Sequence, residues 1–165
     1  MQDWSVSLTL AIGAFLAWLL WRVRPAPRGW GRPRRARREA LREAQARISA
    51  AADAPSRALA LCDAADVKAR RVVGVPSAIA LYLRAMRSDP QSVEVVQRAA
   101  AALASRPRAL ESLLWRHLAI IGPWTGPSRG AAGASLDALR TLYDGPLRNG
   151  VRARALANAL GSLGL

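Results

Sequence analysis

"PSAIALYLRAMRSDP", Pro76 to Pro90, decides the fold. Ala78, Tyr82 and Ala85 follow at steps of four and three, the spacing that aligns side chains along one side of an α-helix. Arg84 falls on the opposite face. Asp89-Pro90 closes the segment, because the residue before a proline is pushed out of the helical region.

The same period extends in both directions. Upstream, a charged helix is expected to begin near Arg35, with Ala40, Leu41, Ala44 and Ile48 on one face. Asp53-Ala54-Pro55-Ser56 breaks it, and Ser56 is the expected N-cap of a second helix holding Leu59, Leu61, Cys62, Ala65 and Val67. Gly74 and Pro76 end that unit. Downstream, "QSVEVVQRAAAALASRP" gives a face of Val93, Val96, Ala99, Ala100 and Leu103. "RALESLLWRHLAIIGP" gives a stripe of Leu110, Leu113, Leu114, His117, Leu118 and Ile121. A Gly/Pro-rich loop is expected over 122–133, then two helices, "ASLDALRTLYD" and "PLRNGVRARALANAL", split by Gly145-Pro146. Alanine, leucine and arginine dominate, and β-branched and aromatic residues are sparse, so the fold class is all-α.

"AIALYLRAMRSDP" resembles the second helix of a tetratricopeptide repeat, read as Ala78, Tyr82, Ala85 and Pro90. The resemblance implies alanines at a close helix crossing, an aromatic filling the gap to the next hairpin, and a proline that turns the chain. The segment from Ser56 is then the first helix of that repeat, and Ser92 starts the next. The chain departs from the family's first-helix pattern of Trp, Leu-Gly and Tyr: Cys62, Ala65, Asp66 and Ala69 stand in those places. The match covers at most residues 56 to 123. Two architectures therefore stay open, an α-solenoid of tetratricopeptide-like antiparallel hairpins and a small helical bundle.

The N-terminal region differs. "WSVSLTLAIGAFLAWLLW", Trp4 to Trp21, is 18 residues without a charge. As a helix it spans about 27 Å, close to the roughly 30 Å of a bilayer's hydrocarbon core. Its eight large apolar residues favour insertion by roughly 2 to 5 kcal/mol. Trp4 at one end and Trp18 and Trp21 at the other suit the headgroup level, as does Trp30 beyond. Arg22, Arg24, Arg28, Arg32, Arg34, Arg35, Arg37 and Arg38 follow, while the leading residues carry no lysine or arginine. That asymmetry predicts a single-pass helix in a bacterial-type inner membrane, with the N-terminus outside and the rest cytoplasmic. A cleaved signal fits less well, since it wants a basic start and a small-residue cleavage site. Gly13 and Ala17 form a small-xxx-small pair, the contact through which such a helix would dimerise. The expected organisation is an anchor over 1–22, a basic Pro/Gly/Arg linker over 23–38 and a helical-hairpin domain over 39–165.

The formal net charge is +14, which calls for an anionic neighbour. An anionic phospholipid surface is the first expectation for the arginine block. Nucleic acid is the second, because no base-reading spacing or stacking series accompanies the arginines.

Little in the sequence points to catalysis. His117 is the only histidine and sits on a leucine stripe; Cys62 is the only cysteine and lies among Ala and Leu. Asp63 and Asp66 share a helix side and read as a solvated face. "GPWTGPSRG" lacks the ending of a phosphate loop. Neither a cofactor nor a metal site is implied. Trp115, off the leucine stripe, and Trp124, in the loop, either contact a partner or cap the core from its edge. The expected function is a membrane-anchored adaptor docking a protein partner. The alternatives are an accessory subunit of an integral membrane complex and a membrane-tethered protein that binds RNA or the ribosome.

Overall fold

A computed structural model describes residues 31–162 and Gly164, with side chains from residue 35. The span Trp4–Trp21, the residues Arg22, Arg24, Arg28 and Trp30, and the pair Gly13 and Ala17 lie outside the described residues. Among the described residues no helix is long and apolar enough to cross a membrane.

Seven α-helices and two short 3₁₀ turns make up the described chain, with no strand among them. They are α1 (Gly31–Ala50), α2 (Ala54–Ala69), α3 (Val75–Ser88), α4 (Val93–Leu103), α5 (Pro107–Ile121), α6 (Arg129–Asp144) and α7 (Gly150–Ser162). The fold is all-α, as the composition required. Residues Arg37 to Leu165 form one contact unit.

Local chemistry sets the boundaries, and several differ from the sequence reading. α1 starts at Gly31 rather than near Arg35. Pro33 falls in its first turn, where a missing N–H breaks no helical bond. The N-cap of α2 is Asp53, not Ser56: its carboxylate accepts the Ser56 N–H at 3.2 Å. That hydrogen bond also holds the Asp53 carboxyl below its usual range. Pro55 is tolerated because it lies in the opening turn. Ser92 caps α4 by accepting the Val95 N–H at 3.3 Å, with Glu94 favourably placed in the first turn. α6 begins at Arg129, inside the expected loop, because Ala131 and Ala132 are completely buried there and packing overrides local propensity. α7 begins at Gly150 rather than Pro146, after a turn tied by Leu147 N–H to the Leu142 carbonyl (2.9 Å) and Asn149 N–H to the Tyr143 carbonyl (2.8 Å).

Helices pack in sequence-adjacent pairs. α2 lies most extensively on α3, and α6 on α7, while α5 bridges α4 and α6. Across the pairs, α2 meets α4, α4 meets α6, and α3 meets α5; no substantial contact joins α2 or α3 to α6 or α7. α1 is held by its completely buried Ala44 and by Ile48 against the core. The core runs continuously through α2 to α7 and is filled by Leu61, Tyr82, Met86, Val95, Val96, Leu103, Leu113, Leu114, Leu136, Leu139 and Tyr143. Val95, rather than Val93, supplies the valine partner of Val96 inside. All six residues of the α5 stripe are buried.

Candidate functional site

Four helices converge on a chain of charges. Asp63 and Asp66 project from the same side of α2, and Arg98 of α4 lies between them. Its Nη2 donates to Asp63 Oδ1 at 2.7 Å and to Asp66 Oδ2 at 2.5 Å. Arg47 of α1 reaches the second oxygen of Asp63 at 2.7 Å. Tyr82 of α3 donates its hydroxyl to Asp66 Oδ1. The run Arg47–Asp63–Arg98–Asp66–Tyr82 thus ties α1, α2, α4 and α3 together. The expected solvated face of Asp63 and Asp66 is instead a half-buried clamp.

Burial sets the electrostatics. Partial desolvation works against the Arg98 charge, but the hydrogen bonds it donates to Asp63 and Asp66 outweigh this and raise its pKa. Burial raises the Tyr82 phenol, and the bond to Asp66 reinforces this, so the hydroxyl stays a donor. Arg98 thus stays a cation and Tyr82 a donor, the conditions for a fixed framework.

Three residues of the clamp, Arg47, Asp63 and Arg98, line an open groove of about 640 Å³. Its walls are the end of α1 and the start of α2, from Arg47 through Ser56, with Leu59, Ala60, Asp63 and Arg98. The groove is lined by the Arg47 and Arg98 guanidiniums, the Asp53 and Asp63 carboxylates and apolar Leu59 and Ala60. It suits an extended or helical segment carrying both an apolar side chain and a charge.

A second cluster joins α5, α6 and α7. Tyr143 donates to Glu111 Oε1 at 2.5 Å and accepts the Trp115 Nε1–H at 3.2 Å. Arg152 reaches both Glu111 and the Tyr143 hydroxyl at 3.3 Å, and its guanidinium sits 5.5 Å from the Tyr143 ring centroid. Trp115 is 43% exposed, so its ring borders this cluster from outside. Trp124 is half-buried against the core, with its N–H donated to the Leu118 carbonyl at 3.1 Å. Of the two tryptophans, only Trp115 offers a surface.

The resemblance residues lie inside. Ala78, Tyr82 and Ala85 are completely buried, and the half-buried Pro90 presents its carbonyl to His117 Nε2 at 3.2 Å. Tyr82 sends its hydroxyl to α2 of its own pair. His117 is sealed in the core, with Nδ1 2.9 Å from the Ser135 hydroxyl. Burial lowers its pKa below 6.5, so it sits there neutral. A serine beside an imidazole is a familiar catalytic pair, but both side chains are shut off from solvent. Cys62 is buried too, which pushes its thiol up to about 12. Among the described residues no three His, Cys, Asp or Glu side chains converge as metal ligands do.

Comparison with protein families, with curated proteins and with solved structures returns no match. The site therefore stands on its own chemistry. Sequence reasoning missed Arg98 and Arg47, because any of 25 basic residues was available to Asp63 and Asp66. The retrievable signal was Arg98 itself, a cation one residue before the buried Ala99 and three after Val95 on a mostly apolar helix.

Proposed function

We propose that the protein is a single-pass membrane-anchored adaptor whose helical body docks a protein partner at the cytoplasmic face. The observation that carries this is the uncharged 18-residue span Trp4–Trp21 joined directly to eight arginines within Arg22–Arg38. Such a segment suits a stop-transfer anchor held against anionic lipid.

The packing of the body supports the adaptor half of the reading. Sequence-adjacent helices pack on one another and the two ends of the body make no substantial contact, which is compatible with a stack of antiparallel hairpins, and such stacks bind segments along their surface. This reading takes the groove beside the clamp, which has both charge and apolar area, as the docking place.

Mild-detergent purification of the full chain tests it. The expected result is a copurifying protein that is lost with Leu59→Glu, which puts a carboxylate on the groove's apolar wall, and kept with Arg154→Gln on α7. Equal recovery with both variants overturns the groove assignment. Copurification of a whole integral complex that depends on the identity of the anchor helix favours the accessory-subunit reading. Salt-sensitive RNA binding favours the nucleic-acid reading.

A further inference from the structure

The turn between α2 and α3 is apolar where it meets water. Val72 and Val73 are 79% and 86% exposed, the two most exposed large apolar residues described. Arg70 and Arg71 precede them. Beside them a cleft is lined by Arg37 of α1, Val67 and Lys68 of α2, Arg71, Val73, Gly74 and Ser77, with no carboxylate. Arg37 carries a buried Nε without a hydrogen-bond partner. No ion pair neutralises Arg37, Lys68, Arg70 or Arg71 among the described residues.

This tip is preformed. Arg71 N–H donates to the Lys68 carbonyl at 3.3 Å and Gly74 N–H to the Arg71 carbonyl at 3.0 Å. A Cβ at Gly74 would stand 2.3 Å from the Lys68 carbonyl oxygen, so only glycine lets the turn fold back this closely. The valines are therefore held outward with little ordering left to lose. Arg37, the first residue of the folded unit, lines the same cleft as Val73.

We propose that this tip rests on an anionic bilayer, with Val72 and Val73 in the headgroup region and Arg37, Lys68, Arg70 and Arg71 on lipid phosphates. The combination selects the ligand. A phosphodiester chain would satisfy the cations but leave the valines in water, and the cleft holds no aromatic ring for base stacking. A lipid surface satisfies both: each cation near it is worth about fivefold in binding, and each valine partly withdrawn from water adds a share of the roughly tenfold that full burial would give. The inference rests on the anchored reading, which brings a bilayer to the chain, and adds that the folded body lies down on it.

The test uses the full chain in lipid nanodiscs, one set of phosphatidylcholine and one of phosphatidylcholine with phosphatidylglycerol. Alkylation of Val73→Cys by a neutral maleimide is timed against Val151→Cys on α7, a position 72% exposed. The buried Cys62 stays silent. The expected result is alkylation of Val73→Cys about tenfold slower on the anionic discs relative to Val151→Cys. Adding Arg37→Gln, Lys68→Gln and Arg71→Gln should abolish that protection. Equal relative rates on both discs overturn the proposal, as does protection by added RNA with none from anionic lipid. Retention on phosphatidylcholine discs in high salt reports the anchor separately. If the chain leaves those discs the anchor fails, while the relative rates at Val73→Cys still decide the tip.

Discussion

The two polar clusters use the same parts in different settings. Around α2, a tyrosine, two carboxylates and two guanidiniums are arranged so that the central Arg98 is only 29% exposed. Around α5 to α7, a tyrosine, one carboxylate and one guanidinium are arranged with Arg152 60% exposed. The carboxylates are alike, Glu111 being 23% exposed against 27% and 30% for Asp63 and Asp66, so the difference lies in how far the central guanidinium is held from water. An ion pair held away from water leaves a costly orphan when one partner is removed, whereas an exposed pair leaves a group that water rehydrates. The α2 cluster should therefore fix how α1 to α4 sit together, while the α7 cluster trims an already packed junction.

The comparison breaks most readily at Tyr82. Tyr82→Ala empties a completely buried site and strips a donor from Asp66, with an expected cost of about 3–5 kcal/mol. Tyr143→Ala empties a comparable volume, so the sharper contrast is Tyr82→Phe against Tyr143→Phe. Each carboxylate keeps an arginine, Asp66 its Arg98 and Glu111 its Arg152; the first should cost about 1–2 kcal/mol, and the second less, because Arg152 and Trp115 are 60% and 43% exposed and water can replace the lost hydroxyl there. Denaturant unfolding of a fragment spanning 34–165 measures both, provided its transition is two-state. A larger loss from Tyr143→Phe would invert the proposed hierarchy.

Arg98→Ala comes next, at about 2 kcal/mol, since Asp63 keeps Arg47 and Asp66 keeps Tyr82. Ala85→Leu, at a completely buried position of α3, should cost about 1–3 kcal/mol by overpacking. Arg84→Ala on the exposed face of the same helix should be nearly silent. If Ala85→Leu and Arg84→Ala are equally harmless in the same assay, the α3 packing described here is wrong.

Acid supplies a probe outside both clusters. His117 is the only histidine, and its folded pKa lies below 6.5 because burial disfavours the imidazolium. The unfolded chain therefore binds the proton more tightly. The stability this histidine contributes is present above pH 6.5 and is lost as the pH falls from there through the folded value. Unfolding midpoints taken at falling pH should decline with a slope of at most about 1.4 kcal/mol per unit, and His117→Gln should flatten that decline. An unchanged slope would place the titrating group elsewhere. Smallest of all, Arg152→Ala should cost no more than about 0.5 kcal/mol.

Helix existence was legible in the sequence because apolar periodicity and packing agree over most of the body: the α5 stripe from Leu110 to Ile121 is buried in full. Boundaries were less legible. Asp53 competed with Ser56 for one cap, and both are good cap residues. The start of α6 was hidden by glycines and a proline whose loop preference is overridden by Ala131 and Ala132 in the core. The groove was half visible, since the spacing of Asp63 and Asp66 can be read along one helix. Arg98 lies 32 residues beyond Asp66, and no local rule pairs them across α2 and α4. The exposed Val72-Val73 tip was invisible for a related reason: two valines beside arginines read equally well as core or surface until the turn is folded.

The central claim is the anchor, because the partner groove and the lipid-facing tip both take their meaning from it. Membranes from cells expressing the full chain, washed with alkaline carbonate and then centrifuged, test it most directly. Retention in the pellet, with release when Leu8, Ile12, Phe15 and Leu19 are replaced by Gln, is the predicted result. Release of the unaltered chain by carbonate would contradict the account, leaving the arginines and not the span Trp4–Trp21 to hold the protein at its surface.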